Sequence, residues 1–461
     1  MTNYKKYLVL MGCLLYVACS KSDFLDKKPN TNIVVPSSVA DMIQLLDNQD
    51  IFRSNSVSMG IMSGDEYCYP SPDVYNALTT KTEKNCYIWN QDIYNGEIAI
   101  PDWNQPYQSI YYCNAVLEQW DKLATEQQSS VPGQFVRGAA LFFRGFSYYN
   151  LVSVFSPAYD ESKKTTDLGV PLKESANINE IKQRATLGDT YNQVLSDLTS
   201  SIGYFSNTFP AQNRNRPSKA AAYALLARVC LSMRNYASAA KYADSSLSCY
   251  NKLIDYNTLD TTARYPLTIY NDELILLNAT AFYYGAVLTG SASLVNIDSS
   301  LISLFDDNDL RKPVFFRNET GAFIPKTVYA GRGSYPFTGL AVDEVYLVKA
   351  ESDVRTGRLN DAITTMNTLL AKRYKAGTFK PITQQPADQL LRSILLERRK
   401  ELVWRGTRWT DLKRLNKEGA NITLKRDLDG KTFTLSPNDP KYVMPIPADE
   451  IAISNIQQNI R

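Results

Sequence analysis

The chain has 461 residues, with 50 Lys+Arg, 47 Asp+Glu and no histidine, for a formal charge of +3. A balance so close to neutral, with no Lys/Arg cluster outside a helix expected near residues 397 to 417, argues against nucleic acid as a partner. The absence of histidine excludes a Ser-His-Asp triad, a Cys-His pair and His-ligated zinc.

At the start of the chain, Lys5 and Lys6 precede an uncharged, mostly apolar segment from Tyr7 to Ala18, and Cys19 follows. That length fits the core of an export signal and is too short for a permanent membrane span. Residues 1–18 are therefore expected to be a lipoprotein signal peptide. The Ala18-Cys19 junction looks like a bacterial lipobox, in which Cys19 is acylated and heads the mature chain. The rival, Cys13, would leave an apolar core of only Tyr7 to Gly12. Processing at Cys19 removes two lysines and lowers the formal charge from +3 to +1. Residues 19–36, polar and carrying Pro29 and Pro36, read as a tether.

A short amphipathic helix is expected from Val39 to Leu46, ended by Asp47-Asn48. Residues 53–103 mix glycines and prolines with Tyr67, Tyr69, Tyr75, Tyr87, Trp89, Tyr94 and Trp103, which predicts an irregular, aromatic-rich surface segment. Helices follow over Trp103–Leu123, Gly133–Val154 and Asp189–Phe205. Two helix pairs come next, Ser218–Met233 with Tyr236–Cys249 and Val342–Thr356 with Leu359–Tyr374. Shifting the first pair by 123 positions lays Tyr223 on Tyr346, Ala227 on Ala350 and Ala239 on Ala362. Small residues recurring where helices cross resemble a degenerate tetratricopeptide repeat. The long stretch 251–339 has weak periodicity and reads as a loop-rich insertion. Ile422–Leu424 and Thr432–Leu435 flank Asp429-Gly430, which predicts a small β-hairpin. The fold expected is mainly α, a tetratricopeptide-like scaffold of helical pairs with long loop-rich insertions.

Beyond Cys19 the cysteines are Cys68, Cys86, Cys113, Cys230 and Cys249, none in a CxxC pair. Whether Cys68 and Cys86 form a disulfide across their Pro- and Thr-rich loop is open at this stage. No cofactor or metal is implied: Gly331-Arg332-Gly333 lacks the preceding strand and following helix of a dinucleotide loop.

Ile394 to Leu415, Met444-Pro445-Ile446-Pro447 and the closing Asn455-Ile456-Gln457-Gln458-Asn459 resemble the SusD/RagB family. So do Cys19 through Phe24-Leu25-Asp26 to Pro29, the run Asp102-Trp103 through Tyr107, Ile110 and Asn114, Arg137 through Phe143-Arg144-Gly145, and Arg216-Pro217-Ser218. Arg405 departs from the pattern, because many members have Glu there. The resemblance covers essentially the whole chain and implies one body over 37–461, with an N-terminal part to about residue 250 and a C-terminal part after it. It implies an outer-membrane lipoprotein, lipid-anchored and surface-exposed, whose partner is a SusC-like TonB-dependent transporter. Such a protein captures oligosaccharide, or peptide in some members, and does not cleave it.

Sugar rings present C–H faces to aromatics and hydroxyls to Asp, Asn and Arg. The candidate ligand-binding residues are therefore Asp65, Tyr67, Tyr69, Trp89, Asn90 and Trp103, joined by Tyr283 and Tyr284 from the insertion. Tyr75, Tyr94, Tyr111 and Tyr112 are assigned to packing. Glu397, Arg398, Arg399, Glu401, Arg405 and Arg408 are expected to make helix-surface ion pairs. Asp65-Glu66 and Asp102 make a poor glycosidase pair, because adjacent carboxylates rarely face one scissile bond. Competing readings are a helical-repeat lipoprotein for outer-membrane assembly and a glycan hydrolase.

Overall fold

The computed structural model describes residues 36–210, 212–281, 294–326, 329–331 and 335–461. The readings of the signal peptide, Cys19 and the tether fall outside the described residues, as do Tyr283 and Tyr284. The first described helix is α1 (Val39–Leu46), where the Ser38 hydroxyl accepts from the Asp41 N–H and the Asp41 carboxylate accepts in return from Ser38. This reciprocal cap satisfies two donors that the first helical turn leaves free.

The other principal helices are α2 (Pro101–Trp120), α3 (Val131–Phe155), α4 (Leu187–Ile202), α5 (Lys219–Ser232), α6 (Tyr236–Cys249), α7 (Val342–Arg355), α8 (Leu359–Leu370), α9 (Ala387–Glu401), α10 (Arg408–Lys417) and α11 (Ala448–Ser454). From α2 to α8 each packs on the next in the chain, and α9 also lies on α7. The two predicted pairs appear within a few residues of their expected bounds, and Ala227, Ala239, Ala350 and Ala362 are fully buried. Gly145 on α3 serves the same close approach, since a Cβ there would sit 3.1 Å from Leu198 Cγ and 3.2 Å from Asp197 Cβ on α4. Although 250–341 separates α6 from α7 in sequence, those helices pack directly. The insertion is looped out of the array without interrupting it. Ser37–Arg461 forms one compact unit.

Among the described residues the sheets are all two-stranded. β1 (Ser54–Ser56) pairs in parallel with β6 (Ala279–Thr280), and β2 (Tyr67–Cys68) pairs antiparallel with β7 (Asn296–Ile297), so the insertion is stitched to the N-terminal segment. β3 (Leu168–Pro171) pairs with β4 (Arg184–Thr186), β5 (Leu274–Leu276) with β10 (Leu340–Ala341), and β8 (Phe316–Glu319) with β9 (Ala322–Pro325). The predicted hairpin is β11 (Leu424–Leu428) and β12 (Lys431–Leu435), turned by Asp429 at φ 51° and Gly430 at φ 70°, the two left-handed positions of a tight turn.

Three expectations need correction. Residues 53–103 are not a surface layer: short helices such as Met59–Ser63 and Lys81–Tyr87 fold this segment so that most of its aromatics enter the main core. The helix near 397–417 is broken between Glu401 and Arg408, where Trp404 (φ 58°) and Gly406 (φ 74°) are left-handed. The ion pairs of that region are interior rather than superficial. Arg311 reaches Asp309 (2.7 Å), Glu397 (2.5 Å) and Glu401 (3.0 Å), and Arg373 bridges Glu273 and Glu401, both at 2.7 Å. Arg405 pairs with Asp343 at 3.0 Å and lies 3.8 Å over the Tyr329 ring. Burying so many charges is tolerable only because each has partners, and the network fixes the insertion to α7 and α9. Cys68 and Cys86 are both free thiols.

Candidate functional site

The aromatics singled out in the N-terminal segment meet one another and leave little face for a ligand. Tyr67 and Trp89 are each 2% exposed, and Tyr69 is buried with its ring centroid 4.5 Å from that of Tyr87. Their polar atoms are used internally. Tyr67 OH donates to Met62 O (2.9 Å), Tyr69 OH to Glu83 Oε1 (3.2 Å) and Trp89 Nε1 to Ser63 O (2.9 Å). Into this cluster β11 sends Arg426, whose guanidinium stands 3.8 Å from the Tyr87 ring centre and 4.9 Å from that of Trp89. These rings are a wall of the core. Asn90 is exposed, its amide donating to Asn85 Oδ1 at 3.1 Å.

Asp65 is held by Arg408 (2.7 Å) and Arg399 (3.2 Å). Burial alone would raise its pKa, but the two guanidiniums outweigh that and bring it to about 2. Glu66 beside it accepts from the Trp404 N–H at 3.2 Å, and burial, with the charge of Asp65 next, pushes it up to about 8. Asp102 accepts from the Ser58 and Met59 N–H groups. All three carboxylates are consumed in holding the fold. Glu273, Asp343 and Glu401 also converge, with oxygens within 4.8 Å of one another, but Arg373 and Arg405 already supply the positive charge there.

Among the described residues, an open groove lies along α2. Trp103, Tyr107, Ile110 and Tyr111 recur at the spacing that places them on one helix face. They line a groove of about 310 Å³, a size and an apolar lining suited to a small ligand. Three other cavities, beside the ionic network and under the Arg405–Thr407 turn, offer only 20 to 30 Å³ each, room for a water. At the closed end Trp103 is 2% exposed, its ring 4.9 Å from that of Tyr107 and its indole N–H 3.3 Å from Glu450 Oε2 on α11. Tyr107 and Tyr111 are half-buried, and Asn104, Gln108 and Asn177 stand exposed on the rim.

The opposite wall is the loop after β3, bearing Lys173, Ser175, Asn177 and Ile178. It is held rigidly by residues of α2 and α3. Asn114 Nδ2 donates to the carbonyls of Lys173 (2.8 Å) and Ser175 (3.1 Å). The Tyr148 hydroxyl donates to Lys173 O (2.8 Å) and accepts from Lys173 N–H (2.7 Å), while Glu118 accepts from Ala176 N–H (2.7 Å). Behind Asn114 stands Arg144, which donates to Asn114 Oδ1 (2.9 Å) and forks onto Asp197 (2.8 and 2.6 Å). Tyr107 OH ties the two walls together by donating to Pro171 O at 3.0 Å.

Of the predicted ligand residues that are described, only Trp103 lines this groove. Tyr111, assigned to packing from sequence, lines it as well. Tyr107, Lys173, Asn177 and Glu450 were not singled out as ligand residues. The spacing of 103, 107 and 111 was a readable signal, whereas the loop and α11 come from positions far apart in the chain. Asn114 and Arg144, noted only as motif residues, turn out to brace the groove wall.

Residues 23–231 match the family described as starch-binding and associating with the outer membrane, and residues 304–460 match the SusD family. Among curated protein sequences there is no significant match. Solved structures do match. A SusD superfamily protein of Bacteroides thetaiotaomicron is 21% identical with a TM-score of 0.71, covering 92% of this chain and 100% of that one. A SusD-like carbohydrate binding protein of Bacteroides vulgatus is 20% identical with a TM-score of 0.68, covering 91% and 97%. Surface glycan-binding protein A of Bacteroides fluxus is 18% identical with a TM-score of 0.67, covering 94% and 99%. At such identities these structures speak to fold, and they place the whole Ser37–Arg461 unit in one known architecture. The two family matches, taking in most of the chain on either side of the insertion, show that it belongs to the SusD/RagB family.

Proposed function

We propose that this protein binds oligosaccharide at the cell surface in the groove between α2 and the loop after β3, and passes it to a SusC-like TonB-dependent transporter. It binds and does not catalyse. The observation that carries the reading is the groove itself: tyrosine rings along one helix face, amide side chains on the rim, and a wall braced by family-motif residues. Half-exposed rings can stack on the C–H face of a sugar, while Asn104, Gln108 and Asn177 exchange hydrogen bonds with its hydroxyls. Family members named as glycan- or carbohydrate-binding share the fold. Cys19, acylated, would anchor the body, with residues 20–36 as its tether; no helix among the described residues is long and apolar enough to cross a membrane.

Isothermal titration of the mature chain with a panel of oligosaccharides tests the binding step. Tyr111→Ala, which removes a half-exposed ring, is expected to weaken binding on the order of tenfold with the thermal midpoint within a degree or two of wild type. Binding unchanged by Tyr111→Ala and Tyr107→Phe/Tyr111→Ala together would put the ligand elsewhere. Co-purification of a TonB-dependent transporter from outer membranes tests the delivery step.

A further inference from the structure

Among the described residues, the groove is lined by one cation, Lys173, that makes no ion pair. The ammonium of Lys173 has no carboxylate within ion-pair distance among the described residues, and stands 5.8 Å from the centre of the Tyr107 ring. Its backbone is the most firmly held point of the loop, with its carbonyl taken by Asn114 and Tyr148 and its N–H by Tyr148. Glu174, next to it in the chain, is exposed, and Glu180 feels the Lys173 charge at longer range, but Glu180 and two other acids have closer partners. Glu180 is held by Lys182 (3.2 Å) and the Ser175 hydroxyl (3.0 Å), Glu118 by the Ala176 N–H, and Glu450 by the Trp103 indole at 3.3 Å on a different element. A lysine whose main chain is fixed by three hydrogen bonds and whose side chain lines a groove of rings is a pre-placed charge with no direct ion-pair partner among the described residues.

Resting on the oligosaccharide reading above, we infer that the groove selects acidic oligosaccharide, with Lys173 pairing with a carboxylate or sulfate ester on a ring stacked against Tyr107 and Tyr111. A single ammonium is a point charge and not a fork, so it accepts either anion without a fixed approach angle. Glu450 then serves as acceptor for ring hydroxyls at the far end of the groove, the task for which a carboxylate already oriented by Trp103 is suited. A charge-assisted hydrogen bond of this kind corresponds to an affinity gain on the order of tenfold.

The test titrates the full mature chain with a neutral gluco-oligosaccharide, an oligouronate, a sulfated oligosaccharide and an acidic hexapeptide, at low and high salt. Lys173→Met keeps the apolar stem and Lys173→Arg keeps the charge; neither touches the backbone bonds, so both are expected to melt with wild type. The expected result is an acidic oligosaccharide bound about tenfold more tightly than the neutral one, an advantage that shrinks with salt, vanishes in Lys173→Met and survives in Lys173→Arg. Whether oligouronate or sulfated oligosaccharide shows it identifies the anion. Equal binding of neutral and acidic sugars, unaffected by Lys173→Met, overturns the inference and leaves oligosaccharide binding standing. An acidic preference that persists in Lys173→Met removes Lys173 as its reader. Binding of the peptide alone, or of nothing in the panel, overturns both.

Discussion

Replacing Trp89 separates a core wall from a sugar platform. The indole is 2% exposed, donates to Ser63 O at 2.9 Å and receives the Arg426 guanidinium at 4.9 Å. Trp89→Ala therefore removes a fully packed ring, leaves the Ser63 carbonyl without its donor and takes away one face of the arginine's aromatic seat. Large-to-small replacement of a buried tryptophan costs about 3–5 kcal/mol. The Arg426 contact with Tyr87, at 3.8 Å, survives and limits collapse of the site. Trp89 is left-handed at φ 53°, and alanine inherits that backbone cost unchanged, so the loss is one of packing. Against a total stability of about 5–15 kcal/mol, the variant should lose about a fifth of its margin or more. Urea denaturation reads this as a lowered midpoint at unchanged slope. Titration with the best oligosaccharide of the panel should show near wild-type affinity in the fraction that remains folded. An unchanged midpoint together with abolished binding would refute the reasoning and restore Trp89 as a ligand contact.

Glu66 and Gly406 supply two further checks. Burial, with the neighbouring Asp65 charge, raises Glu66 to about 8, above its unfolded value near 4.5. The stability it contributes is thus fully present below about pH 4.5 and is lost as the pH rises through about 8. Lys413, pushed down to about 7 by burial, acts in the opposite sense above that pH, so the readout is the difference between wild type and Glu66→Gln. That difference should favour wild type least at pH 9, by thermal midpoints taken from pH 5 to 9, and a flat difference would mean that Glu66 is ionised throughout. Gly406→Ala forces a Cβ onto a φ of 74° and to 3.0 Å from Thr338 Cγ2, whereas Gly419→Ala, at φ 83°, meets nothing within 4 Å. Both should lose about 1–2 kcal/mol for the left-handed backbone, and Gly406→Ala should melt lower still; equal melting would show that Thr338 yields freely.

The helical array was readable from the sequence because a 3.6-residue apolar period and recurring alanines at crossings are local signals. α5 and α6 fall within a residue or so of their expected bounds, and their Ala227 and Ala239 are buried. The hairpin at Asp429-Gly430 was legible for the same reason, since two left-handed positions in succession demand those residue types. The site was not legible in this way. Trp89, Tyr67 and Tyr69 sit among glycines and prolines, which marks loops, yet β1 and β2 pair with strands more than 200 residues later and turn the segment inward. A loop composition says that backbone is irregular and cannot say which face meets the core.

The sequence by itself determined the class of architecture, the exclusion of histidine chemistry and, through motifs spread over its length, the SusD/RagB family. Only the tertiary structure decided which aromatics are available. Tyr107 and Tyr111 face a groove because a loop some 60 residues away is pinned opposite them by Asn114 and Tyr148. Arg398, Glu401 and Arg405 read as a charged helix surface until Asp411 of α10, Arg373 and Asp343 of α7 meet them. Exposure is a property of what packs against a residue, and for this chain the packing partners lie far away in sequence.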